Sequence, residues 1–428
     1  MKTIDRTIKP EIKTIDRVAL LTPKEVVLDN GVHMYSFNAG TQDVVRIECV
    51  FNAGTWYQEK KLTAFSTVKM LKEGTKDYSA SDIAEIFDAC GAYIGTEAEK
   101  DYTYVSLYTL NKHLEKLLPV FTTMIRESVF PQHELSVMLA NKKQEQMVSM
   151  ERVSFISRTK FAEQLYGKDH PYGQSAELND YDNVNREELA AYHQKYYHPG
   201  NLRIITSGKI DDTTQTLINR FLGDKDWKQG EKAIANEWQL PTDSEKRIFI
   251  PKENVLQSAV RIGKVLFTKK DPDYFGMGIL NTILGGYFGS RLMTNIREDK
   301  GYTYGINSGI ISLRNSGFMY IASEVGADVR ELATKEVYHE MNLLRNELVP
   351  DEELSLVKNY LAGSFLRSID GPFALADRFI GILDYGFDFN EYYNRYLQTI
   401  KDITPQQLQV LANKYFIEDS FFETVAGK

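Results

Sequence analysis

The sequence predicts an α+β protein built from two homologous, duplicated domains, each a mostly antiparallel β-sheet packed with helices, which together enclose a cleft. Three observations support this prediction: the length, a grouped order of strands and helices, and an internal repeat. A chain of 428 residues exceeds one ordinary hydrophobic core, so two large domains are expected. Meandering strands and grouped helices, without regular βαβ alternation, are typical of the α+β class.

The repeat consists of two separate stretches that recur at one spacing. The segment PQHELS at 131–136 matches PDEELS at 350–355, an offset of 219 positions (350 − 131). The Lys195-Tyr196-Tyr197 run matches Lys414-Tyr415-Phe416 at the same offset (414 − 195). We therefore predict homologous domains at 1–222 and 248–428, joined by a charged linker at 223–247. A cleft between two such domains is a common place for a ligand.

The local patterns predict the elements in chain order. An Asn30-Gly31 pair inside 26–37 favours a hairpin, and alternation at 44–51 predicts a strand. Gly74 ends a predicted helix at 61–73, and Pro131 suits the first turn of a longer helix. The remaining predictions for the first domain are helices at 81–90, 114–128 and 186–197, two strands within 92–108, and a strand at 202–207.

In the second domain, Ser290 is a predicted N-cap because its hydroxyl can accept a first-turn N–H. Gly301 is a natural end for that helix, and 302–311 alternates as a strand. Arg297 would therefore lie near the helix end and Tyr304 in the strand that leaves it. A guanidinium and a phenol placed together can both donate hydrogen bonds to a peptide carbonyl or a carboxylate. The plainer alternative is an exposed arginine beside a half-buried tyrosine.

Composition narrows the classes of partner. The net charge of −8 and the lack of a basic cluster argue against nucleic-acid binding. Two cysteines form no disulfide framework, and no apolar run is long enough to span a membrane. The N-terminal residues lack an apolar signal region, which predicts a cytoplasmic protein, or a periplasmic one if a signal peptide was removed.

Four segments of the sequence resemble the pitrilysin/insulinase-type zinc peptidases (inverted zincins), particularly their processing-peptidase-like branch. The resemblance rests on Gly74-Thr75, on HPYG at 170–173, on YYHPGN at 196–201 and on GSRLMTNIREDKGYTYGI at 289–306. It implies two homologous α+β domains per chain and a dimeric chamber. It also implies that Arg297 and Tyr304 are the family's substrate-binding arginine and tyrosine.

The family's zinc motif, H-x-x-E-H, is degenerate in this sequence. Counted back from Gly74-Thr75, its histidine positions hold Phe65 and Lys69, and its glutamate position holds Val68. Glu145 lies near the place of the family's third ligand, but one carboxylate cannot hold a catalytic zinc ion. We therefore expect no catalytic residue and no metal in this chain.

The resemblance then implies a non-catalytic, substrate-binding subunit of a heterodimeric zinc peptidase. Its partner would be a homologous subunit that carries the zinc ion, and extended peptides would be the substrates. One alternative is a structural scaffold subunit of the same fold with no peptidase role. Another is an active homodimer with a displaced metal site, which the missing histidines disfavour.

Overall fold

The computed structural model describes residues 7, 15, 17–234, 237–242 and 245–428. It contains two sheets, one in each half of the chain, which confirms the predicted α+β class and the duplication. The proposed boundaries at 222 and 248 stay predictions. Two parts of the predicted organisation lie outside the described residues, namely the start of the first domain and linker positions 235, 236, 243 and 244. Among the described helices, none is both long and apolar enough to cross a membrane.

The first half builds a six-stranded sheet in the order β1-β2-β6-β3-β5-β4. Only β2 and β6 pair in parallel; the other neighbours are antiparallel. The strands are β1 (Lys24–Val27), β2 (His33–Asn38), β3 (Val44–Phe51), β4 (Tyr93–Ala98), β5 (Thr103–Leu110) and β6 (Leu202–Gly208). The helices are α1 (Thr63–Met70), α2 (Ala80–Asp88), α3 (Leu114–Glu127), α4 (Gln132–Ser149), α5 (Val153–Tyr166), α6 (Arg186–Tyr196) and α7 (Asp212–Leu222).

The second half repeats this arrangement with one strand fewer, in the order β7-β11-β8-β10-β9. Again a single pair, β11 with β7, is parallel. The strands are β7 (Arg247–Pro251), β8 (Gln257–Leu266), β9 (Thr303–Ser312), β10 (Gly317–Gly326) and β11 (Phe422–Gly427). The α-helices are α8 (Tyr274–Asn281), α9 (Arg330–Asn346), α10 (Asp351–Arg367), α11 (Pro372–Leu383), α12 (Phe389–Asp402) and α13 (Pro405–Tyr415).

The two halves exchange one helix each. Helix α5 from the first half packs on β8 and β11 of the second sheet, where the side chain of Gln164 accepts a 2.6 Å hydrogen bond from Thr424. Helix α11 from the second half packs on β6 and β2 of the first sheet, and its Phe379 ring lies 5.6 Å from that of Phe37. These equivalent helices bury apolar side chains across the domain boundary, which holds the halves together.

Three predicted helix starts differ in the structure. The Ser290 hydroxyl is buried and has no hydrogen-bond partner among the described residues, so the expected cap bond is not made; its backbone carbonyl accepts from Thr294 instead. Helix α2 begins at Ala80, directly after its N-cap Ser79, and not at Ser81, because Ser79 and Asp82 form a reciprocal capping box. Pro131 precedes the first turn of α4 as its N-cap residue.

Candidate functional site

The predicted arginine and tyrosine are brought together by a widened helical turn and a glycine. Residues Met293–Asp299 form a π-helical segment, which ends where the Gly301 N–H donates to the Arg297 carbonyl at 3.2 Å. Gly301 has a φ of +66°, a conformation that glycine adopts without strain. The chain then enters β9 two residues later. As a result, the guanidinium carbon of Arg297 lies 5.1 Å from the ring centroid of Tyr304.

A second ring, from a residue that the sequence did not single out as functional, contacts the same guanidinium. The Phe288 ring centroid lies 4.8 Å from the guanidinium carbon of Arg297, so two aromatic rings hold this cation by cation–π attraction. Within the described ranges, no acidic side chain forms an ion pair with Arg297, and the N–H groups of its guanidinium make no hydrogen bond. The donors of Arg297 are therefore available to an outside acceptor.

Tyr304 stands at an open sheet edge. Its side chain is 87% exposed, and β9 is the outermost strand of the second sheet. The outer side of an edge strand carries N–H and C=O groups that no neighbouring strand has taken, and it can accept an added strand. Farther along β9 some backbone groups are already engaged, because the Ile306 N–H contacts the Met293 sulfur at 3.5 Å and the Ser308 carbonyl accepts a 3.4 Å hydrogen bond from Asn281. The site thus combines free side-chain donors with the stretch of edge strand around Tyr304.

The degenerate motif lies on α1 and is closed to a metal. Val68 is completely buried in the first hydrophobic core, and Phe65 has no ligand atom. The ammonium group of Lys69 donates a hydrogen bond to the Thr96 carbonyl on β4. Burial, together with the positive charge of Lys72, lowers the pKa of Lys69. The ammonium form, which donates the hydrogen bond to Thr96, repels a divalent cation.

Glu145 does not complete a metal site. Its carboxylate is exposed and forms a 2.6 Å ion pair with Lys142 on the same helix, α4. In the part of the chain that the structure describes, no group of three His, Cys, Asp or Glu side chains is placed to hold a metal ion. The residues at the motif positions therefore do not fit zinc, and no catalytic step can be assigned to them.

Comparison with known proteins identifies the family. Residues 34–169 match the profile described as Insulinase (Peptidase family M16), and residues 183–361 match the one described as Peptidase M16 inactive domain. This chain belongs to peptidase family M16. The identification confirms the resemblance to the insulinase-type peptidases, whereas the processing-peptidase-like branch stays a prediction. The inactive-domain match agrees with a non-catalytic role.

Individual M16 relatives cover most of the chain. An uncharacterized zinc protease of Bacillus subtilis, YmxG, is 25% identical over 358 residues, which are 81% of this chain and 84% of that protein. A probable inactive metalloprotease of the same organism, YmfF, is 24% identical over 216 residues, 49% of each chain. The crystal structure of the peptidase M16 inactive domain from Pseudomonas fluorescens shares the fold, with a TM-score of 0.85 and 23% identity over 95% of this chain and 98% of that one.

Proposed function

We propose that this M16 chain is the non-catalytic, substrate-binding subunit of a heterodimeric zinc peptidase, and that a homologous partner supplies the zinc ion. The observation that carries the proposal is the state of Arg297, which two aromatic rings hold in place while its donors stay unused within the described residues. Holding a cation with rings and without a carboxylate leaves its full hydrogen-bonding capacity for a ligand.

The ligand that fits this arrangement is an extended peptide. A peptide can add to the open edge of β9 through backbone hydrogen bonds, which give affinity with little dependence on sequence. Arg297 would then donate to a peptide carbonyl or a terminal carboxylate, and the exposed Tyr304 hydroxyl would donate to a second oxygen. Two fixed donors beside one edge strand would set the position of the peptide along that edge.

The hydrolytic chemistry belongs, in this proposal, to the partner. Zinc held by an intact H-x-x-E-H helix activates a water molecule for attack on the scissile carbonyl, and this chain has Phe65, Val68 and Lys69 at those positions. Its contribution is to hold the peptide in line with that water. Positioning of this kind is worth several orders of magnitude in rate.

The test is reconstitution with a zinc-bearing homologue of similar length from the same organism. We expect Arg297→Ala to lower the kcat/KM of the mixed dimer about 100-fold or more while the dimer still forms by size-exclusion chromatography. Arg220→Ala is the matched control, because Arg220 also lies over an aromatic ring (5.2 Å from Phe221) but on α7 of the first half. An Arg297→Ala mixed dimer with native activity would contradict the proposal and favour the scaffold alternative.

A further inference from the structure

The duplication allows an internal comparison of one arginine in each half. The sequence Val45-Arg46-Ile47 in β3 recurs as Val260-Arg261-Ile262 in β8, and both strands occupy the same place in their sheets, β3 between β6 and β5 and β8 between β11 and β10. Each arginine also lies 5.7 Å from a tyrosine ring on the neighbouring strand. Arg46 and Arg261 are therefore structural equivalents.

In the first half this arginine is fully satisfied. Arg46 is only 4% exposed, and its Nη1 atom lies 2.6 Å from the Asp377 carboxylate on the exchanged helix α11. The other partners of its guanidinium are the Ser207 hydroxyl, the Tyr108 hydroxyl, the Phe373 carbonyl and, at 3.7 Å, the Glu48 carboxylate.

In the second half the same position lacks both acids. Asp377 corresponds to Arg158 on α5, at the offset of 219 (377 − 158) that relates the repeated segments. Glu48 corresponds to Gly263 at the offset of 215 (263 − 48) that relates the two Val-Arg-Ile stretches. The guanidinium of Arg261 makes no hydrogen bond or ion pair within the described ranges, and its Nε atom is buried without a partner. Burial and the nearby positive charge of Arg158 both lower the pKa of Arg261.

The unpaired Arg261 side chain lines an open groove. Phe373, which helps to cover Arg46, corresponds to Ser154 on α5 (373 − 154), and a groove of about 440 Å³ opens there between α5 and the second sheet. Ser157 and Asn307 line it with Arg261, and so does Tyr304 of the candidate site. The acidic side chain of Glu324 also lines the groove but is exposed and forms no ion pair with Arg261.

We infer that this groove is an anion subsite in which Arg261 binds a carboxylate of the peptide held at Tyr304 and Arg297. The assignment rests on the proposed function, because Tyr304 is shared by the groove and the peptide site. A carboxylate, from an acidic side chain or the peptide C-terminus, would take the place that Asp377 occupies beside Arg46. Charge-assisted hydrogen bonds of this type are strong and directional.

The experiment uses the full chain and fluorescence anisotropy with labelled octapeptides in which one glutamate is moved along a neutral sequence, paired with the same series carrying glutamine. At one or two positions we expect the native chain to bind the glutamate peptide about tenfold more tightly. Arg261→Met should reduce this ratio to about one. Arg297→Ala should weaken both members of each pair and preserve the ratio.

A second variant tests the internal comparison directly. Arg158→Asp places in α5 the acid that α11 carries, so Arg261 would gain an internal partner and the glutamate preference should disappear although Arg261 remains.

If the native chain shows no glutamate preference while Arg297→Ala still weakens binding, the subsite is wrong and the proposed function stands. If no peptide binds the native chain, both are wrong. If inorganic phosphate raises the melting temperature of the native chain but not of Arg261→Met, and no peptide binds, the groove is a site for a free anion.

Discussion

The Nη1 atom of Arg46 lies 2.6 Å from the carboxylate of Asp377, and this contact joins the central strand β3 of the first sheet to a helix of the second half. The equivalent pair in the second sheet is Arg261 with Arg158, which carry the same charge. The duplicated fold therefore contains two equivalent arginines, one beside a carboxylate and the other near a second positive charge. The difference has a consequence for stability that does not depend on any ligand.

The first prediction compares Arg46→Met with Arg261→Met. Removing Arg46 leaves the partly buried Glu48 carboxylate without its cation, and a buried pair broken on one side costs about 3 kcal/mol. Removing Arg261 relieves a desolvated, unpaired charge, so the free energy of unfolding should stay within about 1 kcal/mol of native or rise. Urea unfolding monitored by circular dichroism measures both changes. Equal destabilisation by the two variants would mean that Arg261 has an internal partner in solution.

Much of the fold follows from the sequence because it depends on local patterns. The predicted strand at 44–51 is observed with the same limits, and the Asn30-Gly31 turn joins β1 and β2, with Gly31 at a φ of +86°. The helix exchange could not be read in this way. Nothing in the periodicity of α5 or α11 indicates which of two similar sheets each helix covers, since both offer equivalent apolar faces.

The candidate site was only partly accessible to sequence reasoning. Arg297 and Tyr304 were found through motif resemblance, and the structure places them together, although their role in substrate binding stays a prediction. Phe288 was missed because an aromatic residue in a glycine-containing turn has no distinctive spacing. Arg261 carried a usable signal, because the recurrence of Val-Arg-Ile at an offset of 215 (261 − 46) marks it as the equivalent of Arg46. The 219-residue offset (377 − 158) then places Arg158 where the other half has an acid.

The second prediction concerns zinc and α1. Because Lys69 is engaged with the Thr96 carbonyl and Phe65 has no ligand atom, we expect neither a chelator nor added zinc to change the melting temperature of the native chain. The double variant Phe65→His, Lys69→His is the positive control, since two imidazoles one helical turn apart can share a zinc ion. Zinc at 100 times its Kd would stabilise that variant by about 2.7 kcal/mol.

Differential scanning fluorimetry with zinc and with a chelator distinguishes the two proteins. A stoichiometric, zinc-dependent rise in the melting temperature of the native chain would show that other ligands assemble in solution and would revive the displaced-metal alternative. A rise in the double variant alone would agree with the motif positions having lost their ligands while the helix kept its geometry.

The third prediction concerns His170, a buried histidine between two tyrosines. Its ring stacks on Tyr166 with centroids 5.1 Å apart, and its Nδ1 accepts a 3.0 Å hydrogen bond from the backbone N–H of Tyr172. Burial, and secondarily the charge of Lys100, lower the pKa of His170 from 6.5 to about 4. A protonated Nδ1 cannot accept that bond, so the folded state favours the neutral ring.

The sign of the pH effect follows from linkage. Between pH 6.5 and about 4 the unfolded chain binds the His170 proton and the folded chain does not, so the stability from this group is complete above pH 6.5 and is lost as the pH falls. We expect the loss to approach about 3 kcal/mol at the acid end of this range. Urea unfolding of native protein and His170→Gln across this range should show a shallower pH dependence in the variant, whatever its absolute stability.

His133→Gln, which alters an exposed ring on α4, is the matched control. Parallel pH profiles for His170→Gln and native protein would rule out His170 as a source of the acid sensitivity.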